Sequence, residues 1–258
     1  MINIPINDFV IVLLIFLRII AAFSSSPIYS HQSIPVLTRV FLSLIIAYIV
    51  FLTIDKSQII IEFSLGWLVA NAIKEIITGL IIGFMLNFVF YGISYAGSLI
   101  GFSMELSMAE ALNPVDGASE NVVGQLLFMA ALLLFFLING HHYVISGLVY
   151  SFSIVHLGKF TVSGPVYQLL VTYAGAVFVI AVKIASPILV SYFLVFLAEG
   201  IMTRVIPQMQ VFFVTQPLII GLGFLLLAML VPIYFYVIKF LLKGYEDSLV
   251  SLIKAMGQ

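Results

Sequence analysis

Cysteine is absent from the 258 residues, which removes disulfides, thiolate metal sites and cysteine nucleophiles from consideration. Charge is nearly as scarce. Ten Lys or Arg and eleven Asp or Glu make up 8% of the chain, where ordinary soluble domains carry about 25%. Water could not solvate such a surface, so a soluble globular domain is excluded. The net charge of −1 leaves no basic footprint for nucleic acid. No H-E-x-x-H, no G-x-S-x-G, no phosphate-cradling glycine loop and no paired intramembrane aspartates occur. The expectation is therefore a non-enzymatic chain with no catalytic, cofactor-binding or metal residues.

What is present is apolar sequence, at 63% hydrophobic residues and a mean hydropathy of +1.26. No charged residue falls between Asn121 and Gly158 or between Val205 and Ile238. Each run exceeds the ~20 residues that cross the hydrocarbon core once. An outer-membrane barrel is excluded, because barrel strands alternate over segments of roughly ten residues. The start, MINIPINDFVIVLLIFLRII, lacks a basic leader and contains Asp8 and Arg18. It reads as a retained first helix, not a cleaved signal.

The fold class follows: an all-α integral membrane protein of about eight apolar helices or half-helices arranged in hairpins. Helices are expected near Phe9–Phe23, Val36–Thr53, Leu65–Tyr91, Ile93–Met108, Asn121–Ile138, His142–Val155, Tyr167–Glu199 and Phe212–Leu242. Pro187 is expected to kink or break its helix and Pro232 to bend the last one. The Ser/Pro stretch 24–35 and the mixed-charge stretch 55–62 read as loops. Glu105, Glu110, Asp116 and Glu120 make 105–120 the most acidic stretch. By the positive-inside tendency, the lysines after position 238 would put the C-terminal end in the cytoplasm and that acidic loop on the far side. Gly79 with Gly83, and Gly97 with Gly101, have the spacing that lets membrane helices approach closely; Gly221 and Gly223 mark another thin spot.

His141 and His142 are adjacent, so their side chains diverge by about 100° on a helix and chelate poorly. A turn with a hydrogen-bonded histidine is the better reading. More telling are ionisable residues within apolar runs: Arg18, Lys74, Glu75, Lys183, Glu199 and Arg204. Each costs roughly 2.5–3.5 kcal/mol in hydrocarbon on the insertion scale, so each should face protein or water. They form either a proton or ion relay, or ion pairs that tie helices or subunits together. Pairing is favoured, with Lys183–Glu199 in a broken hairpin or Glu199–Arg204 across a turn as candidates.

Two segments break the apolar pattern. In GFSMELSMAEALNP, flexible Met104 and Met108 flank Leu106, a composition suited to an adaptable seal or to a re-entrant loop packing on its own helices. In MTRVIPQMQVFFVTQP, Arg204 and three glutamines sit between Pro207 and Pro217 or beside them. Backbone freed by proline at membrane depth must be covered by protein or line a water-filled cavity.

Four markers occur in order along the chain: LRIIAAFSSSPIYSHQSIP, YAGSLIGFSMELSMAEALNP, LFFLINGHH and ASPILVSYFLVFLAEGIMTRVIPQMQVFFVTQPLIIGLG. Together they resemble the R component of the flagellar export gate, the FliR family, which is similar to the corresponding protein of virulence type III secretion systems. The resemblance implies one membrane-embedded domain over 1–258, with a P-like part over about 1–180 and a Q-like hairpin and tail over 181–258. It implies a non-enzymatic core subunit in the bacterial inner membrane at the flagellar basal body. Companions would be the P and Q gate proteins (FliP and FliQ), with contacts to FlhB and FlhA, around a channel for unfolded export substrates. Phe102, Met104, Leu106, Met108, Asn113 and Pro114 would belong to a plug loop. Arg204, Pro207, Gln208, Met209 and Gln210 would form the hairpin tip at the channel entrance. Arg18, Lys74, Glu75, Lys183 and Glu199 would be buried charges that pair helices or subunits. The chain departs from many relatives at Glu105, where they carry Gly, at Asn113, where they carry Asp, and from several at Gln210, where they carry Asn. The alternative is a small-molecule or ion transporter coupled through Lys74/Glu75 and Lys183/Glu199. Against it, no paired broken helices in inverted halves are visible in the sequence.

Overall fold

The computed structural model describes residues 6–31, 33–54, 64–106, 121–161, 163–205 and 211–257, and among them every regular element is α-helical. In order these are α1 (Ile6–Ser25), α2 (Val36–Thr53), α3 (Leu65–Ser103), α4 (Val122–Leu137), α5 (Gly140–Ile154), α6 (Gly164–Val205) and α7 (Val211–Met256). Five described helices are long and apolar enough to cross a membrane, or six spans if α4 and α5 count as one. Asn139, between α4 and α5, takes a left-handed φ of 58°. Asparagine tolerates that conformation better than other residues with a side chain.

Three helices run further than the sequence suggests. The expected break near Gly92 is absent, and α3 continues for 39 residues. A glycine costs a helix only about 1 kcal/mol, whereas a break would strip several backbone groups of partners where water is scarce. Pro187 likewise lies inside the 42-residue α6. Proline has no N–H for the Lys183 carbonyl, but the Ser186 hydroxyl donates to that oxygen at 2.9 Å. A neighbouring serine thus supplies the bond that proline removes. Helix α7 holds both Pro217 and Pro232 and continues past Leu242 to Met256.

The chain divides into two compact units. The first combines residues 1–88, 139–174 and 243–258. Its α1 buries a stripe of Ile11, Leu14, Ile15, Arg18, Ile19 and Ala22, the spacing of one helix face. Gly79 and Gly83 bring α3 onto that face: a Cβ at Gly79 would land on the Arg18 carbonyl oxygen, and one at Gly83 on that of Ala22. Asn87 adds an amide donor to the Ser25 carbonyl at 2.6 Å. The end of α7 is not a solvated tail. Tyr245, Leu249, Leu252, Ile253 and Met256 are buried, and Leu249 Cδ2 comes within 2.5 Å of where a Gly147 Cβ would stand.

The second unit combines residues 89–138 and 175–242. Here Gly97 of α3 faces the backbone of Gly124 in α4, and Gly101 faces the Asn121 side chain. Asn121 caps α4 by accepting from the Val123 amide at 2.9 Å. Phe90 lies edge-on to Phe128 and Phe135, with centroids 5.5 and 5.9 Å away.

Candidate functional site

In the second unit, α3 ends in a turn that carries the first half of the expected seal. The Met104 amide still donates to the Ile100 carbonyl at 2.9 Å, whereas the Glu105 amide reaches only back to Phe102, at 3.0 Å. The helix stops because Glu105 takes a φ of 59°. That is a left-handed conformation which glycine adopts freely and a side chain does not.

Met104 is fully buried. Its Cε and Cγ would lie 2.5 and 2.6 Å from a Cβ at Gly223, so the bare glycine of α7 is what admits the methionine. Tyr192 of α6 is buried in the same place and donates its hydroxyl to the Ile219 carbonyl of α7 at 2.6 Å. That bond fixes α6 to α7 beside Met104. Phe102 is 73% exposed, and Leu106 is half-buried. Met108, Asn113 and Pro114 lie outside the described residues, as do Pro207, Gln208, Met209 and Gln210.

Glu105 is the polar member of this turn. Burial pushes its carboxyl above the ordinary 4.5, the Glu199 carboxylate pushes it the same way, and a hydrogen bond from Gln216 works against both. One of its oxygens, Oε2, is buried without a hydrogen-bond partner. A carboxyl whose folded value is raised binds more protons folded than unfolded, so stability falls as pH rises from about 4.5 through the folded value. The unfolding midpoint in detergent is therefore expected to drop across that window, and Glu105→Gln to flatten the drop. An equally steep fall in the E105Q chain would remove Glu105 as its source.

The ionisable residues divide sharply. In the first unit, Arg18 Nε donates to Glu75 Oε2 at 2.6 Å, with both side chains wholly buried. The other guanidinium nitrogens reach the Ser151 carbonyl and hydroxyl, each at 3.2 Å, and the Val155 carbonyl at 3.0 Å. The Phe152 ring lies 4.2 Å beneath the guanidinium carbon. The second Glu75 oxygen accepts from the Gly158 amide at 2.8 Å. Gly158 has a φ of 74°, which lets the chain double back so that its amide meets Glu75. Its carbonyl accepts from Lys74 Nζ at 2.9 Å. Lys74 and Glu75 therefore serve the same turn without pairing with each other.

The α6 charges are not brought together. Lys183 and Glu199 are about 24 Å apart along one unbroken helix, so the hairpin pairing does not form. Glu199 and Arg204 are five positions apart on α6, a spacing that does not place them on a common face. Lys183 and Arg204 are exposed and Glu199 is half-buried. Among the described residues the only ion pair is that of Arg18 and Glu75.

Tyr192, Ser151 and Phe152 were not singled out by the sequence. Gly223 was marked, as part of a thin spot with Gly221, and it is a place of close approach; a Cβ at Gly221 would meet nothing within 4 Å. A tyrosine or serine in an apolar run gives no hint of which carbonyl it will meet.

The family described as bacterial export proteins, family 1, matches residues 9–244. The chain belongs to that family. This family-1 export protein is 31% identical over 249 residues to the flagellar biosynthetic protein FliR of Bacillus subtilis, covering 95% of each chain. It is 29% identical over 218 residues to the FliR of Escherichia coli, covering 84% of this chain and 82% of that one. Against the FliR of Caulobacter vibrioides the figures are 31% over 216 residues, with 84% and 86% covered. The family match takes in the Arg18 network, the turn at Met104 and Glu105, and the stretch around Arg204. With five or six apolar spans among the described residues, this family-1 export protein is a multi-pass protein of the bacterial cell membrane.

Proposed function

We propose that the chain is the R subunit of the flagellar protein export gate, forming with P and Q companions (FliP and FliQ) a channel for unfolded substrates. Its coarse role, a flagellar biosynthesis and export component, follows from kinship with FliR proteins over 95% of its length. That kinship carries the reading. The most apolar stretches of α6 and α7 are only 28% and 22% buried within the chain, which suits helices that pack on neighbouring subunits.

In this reading the channel acts sterically. The segment that begins at Phe102 and runs through Met104, Leu106, Met108, Asn113 and Pro114 closes it and moves aside for a passing chain. The buried seat of Met104 against Gly223 supports the idea that this segment is anchored at its start. Arg204, Pro207, Gln208, Met209 and Gln210 form the entrance turn, where an assembly can cover the groups that proline frees. The division near residue 180 into P-like and Q-like parts belongs to the same proposal, as do contacts with FlhA and FlhB. Arg18, Lys74 and Glu75 hold helices within the chain, leaving Lys183 and Glu199 for partner subunits. The driving energy comes from other components.

The test begins with native mass spectrometry of the tagged chain, co-expressed with its genomic neighbours and extracted in mild detergent. One copy of this chain with several copies of two small membrane proteins is expected; a monodisperse monomer or homodimer would overturn the gate reading. In the assembled complex, replacing Met104, Leu106 and Met108 together by glycine is expected to raise ion conductance well above that of the closed wild type. Unchanged conductance in an intact complex would remove the plug.

A further inference from the structure

The first unit contains a cleft of about 760 Å³ between the last turn of α2 and α5 from Ile145 onward, lined by apolar side chains such as Val50, Ile54, Ile145 and Val149. Ser146 and Tyr150 add polar groups along α5, and Thr53, Ser153 and His156 gather at the end where both helices stop. His156 also lines a second, smaller and more polar pocket of about 210 Å³ with Lys159 and Thr161. One side chain thus separates an apolar slot from a polar recess.

Among the described residues, the exposed charge at that end is basic. Lys74 Nζ donates to the Gly158 carbonyl at 2.9 Å, in the turn that also carries exposed His156 and Lys159. The carboxylate closest in the hydrogen-bond pattern, Glu75, is already committed to Arg18 and to the Gly158 amide. No other acid among the described residues is bonded to this turn. Both helices also end here, α2 at Thr53 and α5 at Ile154, so the basic end lies where apolar sequence gives way to polar.

We propose that this cleft binds one anionic phospholipid, with an acyl chain between α2 and α5 and the phosphate against His156 and Lys159. An apolar slot of this size accommodates a chain of methylenes, and basic recesses between membrane helices hold acidic head groups. A neutral lipid would fill the slot equally well but would leave the cationic end unmatched. A partner's apolar helix would cover the slot and gain nothing from His156 and Lys159. The inference rests on the cleft alone and stands whether or not the chain is a gate subunit.

The sequence offers a clean probe, because Trp67 is the only tryptophan. With Trp67→Phe and Tyr150→Trp, the full chain carries a single tryptophan on the cleft wall. Reconstituted into phosphatidylcholine vesicles, it would be titrated with phosphatidylglycerol or phosphatidylcholine brominated on the acyl chains. Quenching by brominated phosphatidylglycerol is expected at roughly tenfold lower mole fraction than by the choline lipid. His156→Gln with Lys159→Gln, both at exposed positions, should abolish that preference without altering helical content by circular dichroism. Equal quenching by both lipids in both proteins would mean ordinary surrounding lipid and would overturn the site. Absence of quenching by either lipid would mean that protein occupies the slot, with the same consequence. Native mass spectrometry of the unsubstituted chain gives a second reading: a retained phosphatidylglycerol supports the site, and its absence from wild type and the double variant alike counts against it.

Discussion

Replacing Arg18 by methionine is expected to destabilise the chain by about 3–5 kcal/mol, the usual cost of removing one member of a buried ion pair. Three losses coincide. Glu75 keeps its Gly158 contact but loses the cation 2.6 Å from its other oxygen. The Ser151 and Val155 carbonyls, at the end of α5, lose their donors. A cation at that end also offsets the negative pole of the helix. Arg18→Lys should recover only part of the loss, since an ammonium cannot span a carboxylate and two carbonyls as a planar fork does. Arg18→Met combined with Glu75→Gln should be milder than Arg18→Met alone, because no charge is then left bare. Unfolding midpoints in detergent, with the amount of chain retained in membranes, would rank the four proteins. If Arg18→Met unfolded with the wild type, the site would have to be wet, and Arg18 could not be the residue that ties α1 to α3 and α5.

Gly97→Val should be nearly as damaging, at a cost of about 1–3 kcal/mol or more. A Cβ at Gly97 would stand 2.5 Å from the Gly124 Cα, 2.6 Å from its nitrogen and 2.7 Å from the Val123 carbonyl oxygen. All three are backbone atoms of α4, so no rotamer change relieves the overlap; the helices must separate. Separation would also disturb the Phe90, Phe128 and Phe135 contacts nearby. Gly221→Ala is the matched control, with nothing within 4 Å of its Cβ. Thermal midpoints of the two variants should differ by several degrees, and a Gly97→Val chain that melts with Gly221→Ala would refute the α3–α4 seam.

These glycines show how far the sequence could be read. Spacing marked Gly79, Gly83, Gly97 and Gly101 as places of close approach, and each meets a neighbouring element in the structure. It did not say which one, because a glycine pair records only that something comes near. Of the kink or break expected at Pro187, the break does not occur. Pro187 has the chemistry of a helix breaker, but Ser186 was beside it to satisfy the freed carbonyl. The last helix was expected to end near Leu242, although Tyr245, Leu249, Leu252 and Met256 already have the spacing of a buried helix face.

Composition by itself determined that this is a helical membrane protein, because so little charge cannot solvate a surface and so many apolar residues must be buried in lipid or protein. Long runs fixed where most helices begin and end. Ordered motifs pointed to the bacterial export family. Only the tertiary structure decided which charge meets which. Arg18 and Glu75 are 57 positions apart, and no local rule relates them; they meet because Gly79 lets α3 settle against α1. Lys183 and Glu199, equally conspicuous in the sequence, stay apart because α6 does not break. The contrast is physical: helix formation depends on neighbours in the chain, whereas pairing depends on which helix faces the packing brings together.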